Sequence, residues 1–336
     1  MKKKTFLVAE VGLAHDGSLG IAKSFVDKIS SAGADAVKFQ IHDYYSESSK
    51  YEKFRKKFSY QDKDRSAYWK RTKFTKLEWK HLIDYTSKQK IKFIVSPFSI
   101  ESFELLKSFN VYAWKIASGE FTNLPLIEHI VKNSKKPLIL STGLTYDKEI
   151  KVVLKLLSKI KNKITLLQCN SIYPCPVEKV GHNMIQNFSK KYKVDVGISD
   201  HSGKKNSIIA GITYKADMIE THVAFDRKFF GPDSSSSITF DELKEICEFN
   251  KDFNKIAAGK INKSILTNNQ KRMRKIFCKS IALKKNVNKN TLLTLNNIKF
   301  VKPQKGVDVF EYKKVLGKKI KRKKIKDEFL KWNDLK

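Results

Sequence analysis

The strongest constraint on the fold of this 336-residue chain is a regular alternation of short apolar segments with longer amphipathic ones. Eight segments have the length and composition of buried strands: 6–10, 36–40, 92–96, 113–117, 138–141, 165–169, 194–198 and 218–222. Helical patterns lie between them, at 19–31, 75–89, 99–109, 124–134, 147–160, 204–215 and 240–256. Strict alternation implies a parallel sheet, and eight units within roughly 250 residues favour a closed (β/α)8 TIM barrel over an open sheet.

A change of pattern near residue 257 predicts a second, smaller domain. Residues 258–276 show no clear alternation and are interpreted as a linker. Residues 277–336 contain short runs such as KSIAL and TLLTLNNIKFVKP, which are typical of a small, mostly β module. We therefore expect a barrel domain over 1–257, a linker over 258–276 and a small domain over 277–336. A polar and aromatic insertion, 42–74, follows the second strand and should lie over the barrel mouth.

Composition and charge narrow the class of partner. The four cysteines show no CxxC spacing and are too few for a disulfide framework, so we expect free thiols in a reducing cytoplasm. No apolar run approaches the roughly 20 residues that cross a bilayer, so no membrane partner is expected. The net charge of +34 comes almost entirely from lysines spread along the chain, which argues against nucleic-acid binding. Such a field would attract an anionic small substrate.

Polar residues end every predicted strand, where barrels of this kind place their active sites. These ends supply Glu10, Lys38, Gln40, Ser96, Lys115, Ser118, Glu120, Ser141, Asn170, Ser171, Ser199, Asp200, His201, Glu220 and His222. Because a buried, unpaired ammonium is costly, Lys38 and Lys115 should meet an anion. With the neighbouring serines they suit a phosphate and a carboxylate. The alternative is that each lysine extends to water or pairs with a structural carboxylate.

Two histidines at the ends of the last two strands form a candidate metal site. His201 and His222 lie about one β/α unit apart, so both can reach the same point from adjacent strands. Neutral imidazoles with Asp200 and Glu220 close by suit a divalent metal that keeps positions open for substrate. The alternative is that either histidine is buried and hydrogen bonded for structural reasons.

Two loops add further candidates. His15 falls in the first β/α loop and is therefore a site candidate. Asp233 lies in GPDSSSS after the eighth strand, where it could bind substrate hydroxyls or cap the following turn.

An ordered series of motifs resembles a known family. AEVGLAHDGS, GADAVKFQ, SPF, WKIASGEFTNLPLI, ILSTGL, QCNSIYPCP, VGISDHS, ETH and GPD are similar to motifs of the sialic acid synthase family. Its members condense phosphoenolpyruvate with an amino sugar, release phosphate and form a nonulosonic acid. The last sixty residues resemble the antifreeze-like SAF module that follows the barrel in that family. The resemblance covers nearly the whole chain.

The resemblance implies a role for each matching residue. Those that would hold the phosphate and carboxylate of phosphoenolpyruvate are Lys38, Ser96, Lys115, Ser118, Ser141 and Ser199. Those that would line the sugar site are Glu10, Gln40, Glu120, Tyr173 and Asp233, with Ser171 as a further substrate-binding candidate. His201 and His222 would bind Mn²⁺ or Mg²⁺. Glu10 or a water on the metal would serve as the base.

Three departures from the family pattern concern the sugar end. The family is typically a domain-swapped homodimer whose SAF module lends an arginine to the partner's barrel, and that position here is Lys279. Lysine keeps the charge but loses the planar fork of arginine. ETHV and PDSSSS stand where EKHF and PDHKAS are more usual. The acceptor is therefore expected to be N-acetylmannosamine or, as in pseudaminic and legionaminic acid synthases, a di-acetamido hexose.

Two functions of other classes remain open from the residues alone. A sugar aldolase could use Lys38 or Lys115 to form a Schiff base with its substrate. A basic, catalytically inert binding protein could associate with an anionic polymer, and its affinity would depend steeply on salt.

Overall fold

The computed structural model describes residues 4–55 and 58–336, and the chain forms two compact units, Met1–Ala258 and Gly259–Lys336. In the first unit eight parallel strands close into a barrel in sequence order, because β1 pairs with both β2 and β8. The strands are β1 (Phe6–Gly12), β2 (Ala36–Ile41), β3 (Lys92–Pro97), β4 (Ala113–Ile116), β5 (Leu138–Ser141), β6 (Ile164–Cys169), β7 (Asp195–Asp200) and β8 (Met218–His222). The predicted barrel is thus confirmed.

Helices follow the strands around the barrel. They are α1 (Leu19–Ala32), α2 (Tyr44–Glu47), α3 (Arg65–Thr72), α4 (Lys76–Lys88), α5 (Ile100–Leu106), α6 (Leu124–Asn133), α7 (Asp147–Leu157), α8 (Asn183–Lys191), α9 (Lys205–Thr213) and α10 (Phe240–Ala258). The side chain of Ser18 caps α1 by accepting from the amide of Ile21. Helix α8 is missing from the sequence prediction. It buries only Ile185 and Phe188, too few apolar positions to reveal a helical period.

The interior of the barrel has an apolar floor and a polar layer above it. The floor is a cluster of side chains from seven strands, Val8, Ala36, Ile94, Ala113, Ile139, Leu167 and Met218. Residues two apart in a strand point to the same face. Val8 is therefore followed inside the barrel by Glu10, Ala36 by Lys38, and Met218 by Glu220. The strand pattern thus forces charged side chains into the centre of the barrel.

Gly197 in β7 faces the apolar floor and has no room for a side chain. A Cβ atom there would lie 1.8 Å from the backbone oxygen of Met218 and 2.9 Å from Leu167 Cδ2. The nearer atom belongs to the backbone of the neighbouring strand β8, which cannot move without disturbing the β7–β8 pairing.

Gly197→Ala is expected to destabilise the barrel by roughly 1–3 kcal/mol or to prevent folding, because the extra methyl group overpacks the floor. Chemical denaturation followed by circular dichroism measures the change. Gly119→Ala is the control, since a Cβ at Gly119 meets nothing within 4 Å. Equal stability of the two variants would contradict the argument.

The insertion after β2 forms its own small aromatic cluster at the barrel mouth. Tyr68 and Trp69 of α3 are buried with Leu13, and the partly buried rings of Phe54 and Phe58 pack against them. The guanidinium of Arg71 pairs with Asp62 inside the insertion and with Asp16 of the β1–α1 loop. These ion pairs connect the insertion to the barrel.

The second unit has a small hydrophobic core of its own. Strands β9 (Ser280–Leu283) and β10 (Ile298–Val301) pair antiparallel, and the unit also contains helices α11 (Asn268–Phe277) and α12 (Tyr312–Val315). Ile281, Leu293, Ile320 and Leu330 are among its fully buried residues. Helix α11 falls in the range interpreted as a linker. None of its residues is buried.

Within residues 4–55 and 58–336, no helix combines the length and apolar character needed to span a bilayer.

Candidate active site

Four charged side chains form the polar layer of the barrel. Lys38 Nζ lies 2.9 Å from Glu10 Oε2 and 3.5 Å from Glu220 Oε1. Lys115 Nζ lies 3.3 Å from the same oxygen of Glu220. All four side chains are almost completely buried. The two ammoniums are thus paired with carboxylates of their own chain, which is one of the alternatives that the sequence left open.

Glu220 is shared between the two lysines, and this determines how each group titrates. Burial opposes its charge, but Lys115 and Lys38 lower the pKa of Glu220 to about 2. Burial also opposes the charge of Lys38, yet Glu10 and Glu220 together raise its pKa above the usual value. Burial prevails at Lys115, whose pKa is lowered because it receives only a share of Glu220 and is repelled by Lys38. Lys115 is therefore the easier of the two lysines to deprotonate.

Two serine hydroxyls contact the four charges, and others lie at neighbouring strand ends. Ser96 Oγ accepts from Lys38 Nζ at 3.3 Å, and Ser199 Oγ donates to Glu220 Oε1 at 3.0 Å. Ser118 and Ser171 are joined by a hydrogen bond of 3.0 Å between their hydroxyls. Ser141 Oγ is buried and has no hydrogen-bond partner among the described residues. An unpartnered buried hydroxyl is costly, so Ser141 indicates that a polar ligand belongs beside it.

The two histidines at the ends of β7 and β8 lie together, with ring centroids 5.5 Å apart. His201 Nδ1 lies 2.8 Å from the backbone oxygen of Asn170, so Nδ1 carries the proton and Nε2 presents a lone pair. Tyr173 donates its hydroxyl to that nitrogen at 3.1 Å and stacks on the same ring. Burial, aided by His222, lowers the pKa of His201 to about 3 and keeps the imidazole neutral.

These features fit a divalent metal, although the acidic neighbours are arranged differently from the prediction. A neutral imidazole whose other nitrogen donates to a backbone carbonyl is a typical metal ligand. Asp200 instead accepts from Ser202 and Ser207 and holds the turn after β7. Glu220 is occupied by the lysines. In the described part of the chain no three or more His, Cys, Asp or Glu side chains form a metal-binding group. His201 and His222 would thus be the ligands that the protein supplies.

A cavity of about 250 Å³ opens above the polar layer at the barrel mouth. Gln40, Ser118, Tyr173, His222 and Asp233 of the barrel line it. The insertion provides three aromatic side chains, Phe58, Tyr68 and Trp69, together with the basic side chains His42, Arg55 and Arg65. The cavity is therefore polar, with a group of aromatic rings that could receive methyl groups.

Arg55 in the insertion is a site residue that the sequence prediction missed. Its Nη2 lies 2.7 Å from Asp233 Oδ1 and 3.0 Å from the backbone oxygen of Pro232. Its guanidinium carbon lies 3.9 Å from the ring centre of Tyr173. Although burial raises the pKa of Asp233, His222 and Arg55 outweigh it and lower the pKa. Arg55 joins the insertion to the loop after β8, and it has no motif or period that could mark it in the sequence.

Three predicted residues lie elsewhere in the chain. Glu120 accepts from Asn123 Nδ2 at 2.7 Å and lines a neighbouring cavity, where burial raises its pKa. His15 is buried and stacks on Phe74, with its Nδ1 accepting from the amide of Gly17. Lys279 is exposed in the second unit. The structure thus brings most of the strand-end residues and Asp233 together, whereas Glu120 and His15 do not line the cavity.

Glu220→Gln is expected to destabilise the barrel by about 3–5 kcal/mol at neutral pH, because it leaves buried ammoniums without their counter-charge. The pKa of Glu220 is lowered from 4.5 to about 2, so its stabilisation is fully present above pH 4.5 and is lost as the pH falls toward 2. Urea denaturation of both proteins across this range measures the difference. Asp84→Asn, which breaks an exposed pair with Lys80, should leave stability unchanged. Equal loss in both variants would contradict the assignment.

Comparisons with known proteins agree with the resemblance noted from the motifs. A model described as the NeuB family matches residues 25–263, and one described as the SAF domain matches residues 279–336. The chain is 32% identical to an N,N'-diacetyllegionaminic acid synthase of Campylobacter jejuni over 334 residues, covering 98% of this chain and 99% of that protein. It is 31% identical to a pseudaminic acid synthase of the same species, covering 94% and 92%.

A solved structure shows the same likeness. It is the N-acetylneuraminic acid synthetase of Leptospira borgpetersenii, which superposes with a TM-score of 0.66 at 27% identity and covers 81% of this chain and 90% of that one. Family model, relatives and fold agree over most of the chain. The chain therefore belongs to the NeuB family and carries a SAF domain at its C-terminal end.

Proposed function

We propose that this chain is a transferase that condenses phosphoenolpyruvate with an N-acylated amino hexose, forming a nonulosonic (sialic) acid and releasing phosphate. The observation that carries the proposal is the polar layer. Two buried ammoniums and the buried, unpartnered hydroxyl of Ser141 lie at the strand ends of a barrel whose cavity is lined by His222, and the ring of His222 lies 5.5 Å from that of His201. The family relatives named as synthases of sialic-type acids support the same class of reaction.

The lysines and serines would bind phosphoenolpyruvate. Its phosphate and carboxylate would take hydrogen bonds from Lys38 and Lys115 and from the hydroxyls of Ser96, Ser141 and Ser199. Glu220 currently holds both ammoniums, so an anion would compete with its carboxylate for them. Before substrate binds, the contacts with Glu220 hold both lysines in position.

The histidines would hold a divalent cation, Mn²⁺ or Mg²⁺, through His201 Nε2 and His222. When bound, the cation would supply Lewis acidity to the aldehyde of the open-chain sugar. Tyr173 donates to His201 Nε2, so this hydroxyl would have to give up that contact and become free to bind sugar. Asp233, fixed by Arg55, faces the same cavity and would accept from sugar hydroxyls.

The proposed reaction forms one carbon–carbon bond and breaks one carbon–oxygen bond. C3 of phosphoenolpyruvate attacks the aldehyde carbon, water adds at C2 of the resulting oxocarbenium ion, and phosphate leaves from C2. Glu10 is the base that the chain itself supplies near C2, because its carboxylate contacts Lys38 in the proposed phosphoenolpyruvate site. Burial of the layer excludes bulk water from the oxocarbenium ion.

His222→Ala is expected to lower the rate of phosphate release by more than about 100-fold. Mutating a residue that merely hydrogen-bonds to a metal ligand already lowers metal affinity or activity about 10- to 100-fold, and loss of the ligand itself should cost more. Mn²⁺ titration followed by electron paramagnetic resonance should show weakened metal binding, whereas phosphoenolpyruvate should still protect the variant in thermal denaturation. His81→Ala is the control, because His81 is exposed on α4. Unchanged Mn²⁺ affinity in His222→Ala would sink the metal assignment.

We propose that the acceptor is a di-acetamido hexose. N-acetylmannosamine offers one acyl methyl group, whereas a di-acetamido hexose offers two. The rings of Phe58, Tyr68 and Trp69 offer apolar surface to a second acyl methyl group, and two relatives are named for legionaminic and pseudaminic acids.

A panel of N-acetylmannosamine and di-acetamido hexoses, each with phosphoenolpyruvate and Mn²⁺, tests the acceptor by phosphate release and product mass. We expect a di-acetamido hexose to give the highest kcat/KM, because its second acyl group buries more apolar surface against the insertion. Equal or higher kcat/KM with N-acetylmannosamine would contradict that preference. Absence of release with every sugar would refute the synthase itself.

A Schiff-base aldolase is the second candidate, and the lowered pKa of Lys115 favours it because a neutral amine is the nucleophile. Borohydride trapping separates the two functions. A covalent adduct of substrate with Lys115 would support the aldolase, whereas the synthase reaction forms none.

We also propose that the enzyme is a cytoplasmic homodimer, as the family resemblance implies. The described cysteines are all free thiols, which agrees with a reducing compartment. Light scattering on the full chain measures the assembly.

A further inference from the structure

A continuous chain of polar contacts leads from the insertion to the barrel lysines. Glu47 Oε1 lies 2.6 Å from His42 Nδ1, and His42 Nε2 lies 3.2 Å from Gln40 Oε1. Gln40 Nε2 then donates to Glu10 Oε1 at 2.7 Å, and the other oxygen of Glu10 lies 2.9 Å from Lys38 Nζ. His42 is the link between the cavity wall and the polar layer.

The partners of His42 determine its protonation. Glu10 is a carboxylate paired with Lys38, so Gln40 must turn its amide NH2 toward it. The carbonyl oxygen of Gln40 therefore faces His42 Nε2, which has to donate. On the other side of the ring, Nδ1 faces a carboxylate oxygen of Glu47 and also has to donate. Both nitrogens carry protons, so His42 is an imidazolium.

Two aromatic rings hold this imidazolium in place. His42 stacks between Trp69, with ring centroids 3.8 Å apart, and Phe98, at 4.1 Å. Aromatic faces stabilise a cation between them. The other charged and titratable groups near the ring are His15, Asp43, Arg65, Lys73 and Glu120. Asp43 is neutralised by Lys73, which leaves Glu47 as the carboxylate in direct contact with the ring.

We propose that doubly protonated His42 is a positioning residue that fixes the amide of Gln40 and, through it, the carboxylate of Glu10 for the condensation. The inference deepens the proposed function and rests on it for its catalytic part. If His42 lost a proton, one of its two contacts would become repulsive and the amide of Gln40 would be free to rotate. The imidazolium thus couples the insertion to the phosphoenolpyruvate end of the site.

The protonation state can be tested without catalysis. Nitrogen-15 NMR of histidine-labelled full-length protein distinguishes an imidazolium from either neutral tautomer, and the His42→Phe spectrum identifies the signal. We expect both His42 nitrogens to be protonated at pH 7. A neutral His42 at that pH would overturn the proposal.

The positioning role is tested by steady-state kinetics of His42→Phe, which keeps the aromatic stack and removes both hydrogen bonds. We expect kcat to fall on the order of 100-fold, as for a misplaced catalytic group, with a smaller change in KM for phosphoenolpyruvate. His129→Phe is the matched control, because His129 also pairs with a glutamate, Glu104, but lies on α6 away from the cavity. Its kcat should be unchanged. A rise in KM alone, or equal kcat in both variants, would overturn the proposal.

A conservative variant separates positioning from a merely structural role. Glu47→Gln introduces an amide that can donate to His42 Nδ1, so neutral His42 can still donate from Nε2 to Gln40. We therefore expect Glu47→Gln to keep a kcat near that of the wild type, in contrast to His42→Phe. A kcat as low as that of His42→Phe would contradict the inference. If the wild type releases no phosphate, the proposed function fails, whereas the NMR result still decides the state of His42.

Discussion

The sharing of one carboxylate between two buried lysines is the interaction on which the rest of this site depends. Glu220 Oε1 contacts both Lys38 and Lys115, and Glu10 completes a layer with two positive and two negative charges. Placing four charges inside a barrel is costly, and the cost is offset only when each has a close partner. The layer therefore has no net charge. Its contacts must rearrange when an anion enters, because the anion has to take ammonium contacts from Glu220.

The zero net charge of the layer suggests what a cation at the two histidines would do. A phosphate and a carboxylate would bring negative charge into a compartment with no net positive charge of its own. A divalent cation at His201 and His222 would offset that charge at the adjacent strand ends. Burial keeps the His201 imidazole neutral and able to bind a cation. The proposed metal and the proposed anion therefore balance each other electrostatically.

Much of the barrel and of its polar layer could be predicted because both follow from a period of two. Once β1 and β8 are recognised as inward-alternating strands, Glu10, Glu220 and His222 must point into the lumen at successive heights. What the sequence could not show is which polar groups pair. Asp200, one residue from His201, faces outward into a turn, whereas Glu220 comes from the neighbouring strand. The positions of Arg55 and His42 depend on how the irregular insertion folds back onto the barrel, and no local sequence pattern predicts that.

The aromatic cluster of the insertion has a consequence for how such enzymes diversify. Tyr68 and Trp69 pack mainly on rings from the same insertion, and the insertion meets the barrel through side-chain contacts such as those of Arg71, Arg55 and His42. Side chains of the insertion that line the cavity outside these contacts can therefore change without repacking the strands that carry the lysines. Selection could exchange one proposed acceptor for another while leaving the proposed phosphoenolpyruvate site unchanged. His42 limits how far the insertion can change, since any altered insertion must still supply a hydrogen-bond partner for Gln40.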